Sequence, residues 1–157
     1  MQQTDPQARQ MKAVTVLPGG AKSVNVFGVQ VNLLVTGQDT GGAYATYEAV
    51  VEPGAGPPPH IHHQDDEAFL VQEGEFEILR GQEIFTAGPG TFVALPRHLP
   101  HYFKNVGQGT GRLLGIATPA GHEHFFEDAG QLAFPPDPEE ALAVCRRHGI
   151  ELVPPGK

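Results

Sequence analysis

From Val14 onward the chain is a succession of short apolar runs with period-two alternation, each four to eight residues long and cut off by glycine, proline or polar clusters. The pattern predicts strands over Val14–Leu17, Ser23–Phe27, Gln30–Val35, Tyr44–Val51, Ala68–Gln72, Phe76–Leu79, Glu83–Thr86, Thr91–Leu95, Tyr102–Asn105 and Arg112–Thr118. Glu73-Gly74-Glu75 predicts a tight hairpin, and Ala87-Gly88-Pro89-Gly90 a second reversal, since glycine reaches positive φ and proline fixes its own. The period lengthens only at the end. Gly121–Ala129 predicts a short helix, and Asp137-Pro138-Glu139-Glu140 supplies the cap, first-turn proline and acidic residues of a second that stops at Gly149. Both are expected to pack on the outside of the strands. The three-part expectation is an N-terminal arm over residues 1–12, a β-barrel over 13–120 and a helical tail over 121–157, the arm being either loose or an edge segment that pairs with a second subunit.

Composition agrees with an all-β chain of one domain. The 157 residues include 20 glycines and 15 prolines, the punctuation of many short strands, and the length suits one core. A net charge of -8 repels phosphate backbones and anionic membrane surfaces, and no Lys/Arg cluster offsets it, so no nucleic acid and no membrane partner is expected. One cysteine, Cys145, leaves no internal disulfide, no run reaches the roughly 18 apolar residues of a membrane span, and MQQTDPQARQMK has no signal-like apolar core. A cytoplasmic protein is expected.

Chemistry concentrates between Gly54 and Asn105. His60-Ile-His62 places two imidazoles on one strand face, because alternate residues share a face. Glu67 lies an odd number of positions from His62, so His63-Gln64-Asp65-Asp66 must turn or bulge to bring it to the same face. His101 arrives from a distant strand. Three imidazoles and a carboxylate suit one divalent transition metal, whether Fe, Mn, Ni, Cu or Zn, and a set of this type leaves positions open for a small molecule. Parity carried on from these ligands puts Phe69, Val71 and Phe103 toward a mostly apolar cavity, with Tyr47 as a further pocket residue.

Gly54-x5-His60-x-His62-x4-Glu67-x6-Gly74 and Gly90-x5-Pro96-x4-His101-x3-Asn105 resemble the two motifs of the cupin superfamily, in the order found in small single-domain cupins. The resemblance implies a double-stranded β-helix, the cupin β-barrel or jelly roll, with one or two short C-terminal helices. It implies metal ligation by His60, His62, Glu67 and His101, and a homodimer. Where the second motif has glycine two residues after its proline this chain has His98, read either as a turn residue at positive φ or as a proton shuttle or substrate contact at the cavity mouth. The tail His122-Glu123-His124-Phe125-Phe126-Glu127 is similar to that of quercetin-dioxygenase-like cupins, which implies a dioxygenase acting on a small enolic or phenolic, flavonol-like molecule. In that reading Glu67 is both ligand and general base, its pKa raised by an apolar interior. A non-redox isomerase, lyase or hydrolase using Glu67 or His98, and a binding module without turnover, are the alternatives.

Other residues have plainer readings. His63 has the outward parity, His122 and His124 cannot share a helix face, Cys145 is packing, and Asp65-Asp66 is a solvated loop. Phe125-Phe126 belongs to the core or to a lid over the mouth.

Overall fold

The computed structural model describes residues 11–154; the greater part of the expected N-terminal arm, residues 1–10, lies outside them. Eleven strands and three helices follow one another as β1 (Lys22–Val26), β2 (Val29–Val35), α1 (Gly37–Thr40), β3 (Ala45–Val51), β4 (His60–His62), β5 (Asp66–Glu73), β6 (Phe76–Arg80), β7 (Glu83–Ala87), β8 (Phe92–Leu95), β9 (His101–Asn105), β10 (Gly111–Thr118), α2 (His122–Ala129), α3 (Pro138–Arg147) and β11 (Ile150–Leu152). They form a six-stranded sheet in the order β1-β2-β3-β10-β5-β8 and a five-stranded sheet in the order β11-β4-β9-β6-β7. Every pairing is antiparallel. This is the expected double-stranded β-helix.

Alternation sets the core. In β3 the residues Ala45, Tyr47, Ala49 and Val51 are buried and those between them are not, and β5 and β10 repeat the pattern. Phe69, Val71, Phe76, Ile78, Leu95 and Leu113 fill the space between the sheets, each at most 2% exposed. Opposite them, outward side chains of the larger sheet are also apolar: Leu70 stands opposite both Phe92 and Leu114, and Ala68 opposite Ala94 and Ile116.

Four local expectations need correction. Gly74 does turn, at φ 90, but Glu73-Gly74-Glu75 is no hairpin, because β5 and β6 belong to different sheets and the turn carries the chain across the barrel. Val14–Leu17 is not a strand; its alternation pairs with no strand among the described residues. β11 was not anticipated, and it lies antiparallel to β4 with Ile150 opposite His62 and Leu152 opposite His60. The helices do not simply coat the outside: α2 places Phe125 and Phe126, each 7% exposed, against the cavity, and Cys145 of α3 lines it too. α3 itself begins as expected, with the Asp137 carboxylate accepting from the Glu139 and Glu140 amides. No helix among the described residues is long and apolar enough to cross a membrane.

Candidate metal centre

β4 and β9 meet at a single bridge, His60 opposite His101, which sets two imidazoles side by side with ring centroids 4.3 Å apart. His62 shares the inward face of β4, 5.0 Å from the His60 ring and 4.9 Å from that of His101. Glu67 comes from the opposite sheet after the turn at 63–65, and its Oε2 stands 3.3 Å from His62 Nε2 and 4.0 Å from His101 Nε2. The four expected ligands therefore converge, drawn from both sheets.

Each imidazole is aimed by its far nitrogen. His60 Nδ1 faces the Pro58 carbonyl at 2.9 Å, His101 Nδ1 the Leu99 carbonyl at 3.0 Å and His62 Nδ1 the Asp65 carboxylate at 2.9 Å. Oxygens of this kind accept, so the Nδ1 atoms carry the protons they donate, and Nε2 is the atom each ring offers to the interior. One ligand atom from each of the three histidines lies within 4.8 Å of the others. His101 Nε2 is buried without a hydrogen-bond partner among the described residues, an orphaned acceptor of the kind a metal ion satisfies. The residues fit a divalent transition metal.

The electrostatics follow from burial and neighbours. Burial, then the charges of His101 and His62, lower His60 to about 3, and burial likewise lowers His101. Burial pulls His62 down as well, but Glu67 and Asp65 outweigh it and its pKa is raised. For Glu67 the expectation of a raised value is corrected: burial raises it, yet His62, His101 and the hydrogen bond from Tyr47 together lower it, leaving a carboxylate. The Tyr47 hydroxyl donates to Glu67 Oε1, and its own pKa is driven well above 10.0 by burial and by that carboxylate. Gly115 makes room for the phenol, since a Cβ there would stand 2.2 Å from the Tyr47 ring.

The donors open into a cavity of about 150 Å³ walled by β2, β3, β9, α2 and α3. Tyr47 and Phe103 line it, whereas Phe69 and Val71 are packed into the core and do not. His98 is not in the cavity either: it occupies the exposed turn before β9 at φ 71, and its Nδ1 lies 2.9 Å from that of His63, whose other nitrogen meets Glu151 at 2.7 Å. A proton shuttle at the mouth is replaced by a turn residue in a surface cluster.

Two site residues escaped the sequence reading. Asp65 is 5% exposed rather than solvated, and it is the group that holds His62; its place three residues after a ligand in a turn was the available signal. His122 is 7% exposed and lies beside the site, 4.5 Å from the His62 ring, while His124 points to solvent; no local signal marks it, because only the packing of α2 against the cavity brings it there.

The family described as Cupin domain matches residues 47–117. No curated protein sequence matches the chain. Among solved structures, KdgF from Halomonas sp. is similar at 18% identity and a TM-score of 0.65, over 72% of this chain and 99% of that one. An RmlC-like cupin from Shewanella frigidimarina follows at 18% and 0.62, over 74% and 98%. The polyketide cyclase RemF from Streptomyces resistomycificus stands at 22% and 0.52, over 75% and 79%. At these identities the likeness is one of fold, and it agrees with the two sheets and with the match of residues 47–117 to the Cupin domain family.

Proposed function

We propose that the protein is a metal-dependent oxygenase acting on a small, apolar molecule that carries an enol or phenol. The observation that carries this reading is the contrast within one cavity: His60, His62 and Glu67 line one side, with His101 beside them, and Val26, Val29, Val31, Phe103, Phe125 and Phe126 make up much of the rest, with no Lys or Arg among the lining residues. Beyond an ion at the donors, no cationic side chain lines the cavity to hold the remaining charge of a phosphate or a dicarboxylate. An enol or phenol needs one polar contact and apolar walls for its ring.

A divalent iron, manganese, nickel, copper or zinc ion held by the four donors supplies Lewis acidity and, where redox-active, access to dioxygen chemistry. The protein's own part is proton handling and exclusion of water. Glu67, an oriented carboxylate, accepts the proton of the incoming hydroxyl, with Tyr47 fixing its other oxygen. α2 lines the cavity with Phe125 and Phe126, so the bound ring is held against them rather than water.

The test is dioxygen uptake by metal-reconstituted protein across a panel of flavonols and smaller enols, with His62→Ala as control. Uptake lost in the variant supports the reading; none with any panel member sinks it. The hydrogen-bonded Tyr47–Glu67 pair supports a second reading, a non-redox isomerase or lyase that moves a proton, and turnover under anaerobic conditions with zinc would establish that one instead. Tight binding of unchanged ligand would identify a binding module. A homodimer and a cytoplasmic location belong to the same proposal. The outward apolar surface of Leu70, Phe92, Leu114 and Ile116 supports the former, with light scattering as its test.

A further inference from the structure

The polar side chains around the cavity are nearly all committed. The Nδ1 atoms of the ligand histidines face oxygens, and the Tyr47 hydroxyl is given to Glu67. His122 is different. It lines the cavity at 7% exposure, and neither ring nitrogen has a hydrogen-bond partner among the described residues; Asp65 Oδ1, at 3.9 Å from Nδ1, is beyond hydrogen-bond reach. A Leu or Phe at this position would bury more cheaply.

The ring is nonetheless held firmly. It stacks on Phe125 at 5.4 Å with an interplanar angle of 28° and takes the edge of Phe126 at 4.5 Å. The helix start that carries it is fixed to the barrel by Glu123, 2% exposed, whose two carboxylate oxygens accept from the backbone amides of Gly37 at 2.8 Å and Gly121 at 2.7 Å. An unpartnered, buried imidazole on an anchored helix, one ring away from His62, is a donor or acceptor waiting for a ligand atom.

We infer that His122 is a specificity residue that binds a second oxygen of the substrate, adjacent to the oxygen directed at the His60, His62, His101 and Glu67 donors. Resting on the enol or phenol reading above, this narrows the substrate to compounds with two neighbouring oxygen functions, a hydroxyl beside a carbonyl or a second hydroxyl. Its position on α2 makes the contact available only when the ring lies against that helix. The predicted selectivity is that of one hydrogen bond in a desolvated site, roughly three- to tenfold.

The experiment uses the full chain loaded with zinc, so that binding is read without turnover, and two chromogenic probes: 4-nitrophenol, with one oxygen on the ring beside the nitro group, and 4-nitrocatechol, with two adjacent ones. Wild type should bind the catechol more tightly. In His122→Phe, which keeps the aromatic stack, the ratio of the two affinities should fall by roughly three- to tenfold, and in His122→Gln, which keeps a donor and an acceptor, it should fall less. Equal zinc content and far-UV spectra certify the fold, and His122→Leu takes the place of the Phe variant should that one fail these checks. A ratio unchanged in the variants assigns the second oxygen to the metal and overturns the role of His122 while leaving the substrate reading in place. Failure of both probes to bind wild type overturns both.

Discussion

Removing the Asp65 carboxylate tests whether the site depends on a residue that touches no substrate. Asp65 Oδ2 accepts from His62 Nδ1 at 2.9 Å, and both groups are buried, at 5% and 2% exposure. The bond fixes which nitrogen of His62 carries the proton and holds Nε2 toward the other donors, and the negative charge makes that nitrogen a better ligand. Such outer partners are typically worth about 10- to 100-fold in metal affinity, or about 1.4 to 2.8 kcal/mol. Asp65→Asn keeps an acceptor but loses the charge, so it should fall near the tenfold end. Asp65→Ala leaves the ring without a partner and should approach a hundredfold. Zinc competition against a chromogenic chelator at pH 7 gives the affinities, and melting of the metal-free variants separates lost ligation from lost folding. Affinities for both variants within about twofold of wild type would refute the reasoning, since that range is well below the expected effect.

Acid should destabilise the metal-free protein through His122 and His60, each lowered from 6.5 to about 3. The unfolded chain takes up these protons below pH 6.5 and the folded chain does not, so stability falls as pH drops; for His122 the loss between pH 6.5 and 5 is about 2 kcal/mol. Urea unfolding at pH 7 and 5 should show this loss shrinking in His122→Phe, and an identical pH dependence in the two proteins would contradict it. His62, raised, works in the opposite sense: its contribution is complete below 6.5 and is lost as pH rises through its folded value. Gly115→Ala should push the Tyr47 ring away from Glu67, since the added methyl would sit 2.5 Å from the hydroxyl, lowering stability by about 1 to 3 kcal/mol in thermal melts. Ile150→Ala, emptying a 5% exposed position opposite His62, should cost about 2 to 5 kcal/mol in urea unfolding and weaken zinc binding along with it.

The ligands were legible because their signals are local. His60 and His62 share a face by parity, the 63–65 turn reverses parity for Glu67, and the positive φ expected where His98 replaces glycine is found at 71°. What was not legible depends on partners far along the chain. Asp65 looks like a solvated acid until His62 is known to face it, and nothing local marks His122 until α2 is known to pack against the cavity. The turn at Gly74 was readable, but not the fact that a jelly roll sends β5 and β6 to opposite sheets. Phe69 and Val71 have the inward parity that was read, but inward in a barrel includes the packed floor as well as the cavity.

The pairing of β11 with β4 bears on the order in which the protein acquires its chemistry. β4 is three residues long and meets β9 at one bridge only, so on its other side it is β11, reached 90 residues after His60, that completes its ladder. During synthesis His60 and His62 leave the ribosome well before that strand exists, and the contact that closes their sheet is among the most distant in sequence. Ligand presentation is thereby tied to completion of the barrel: a chain that stops short of Ile150 carries all four ligands but lacks the strand that frames two of them.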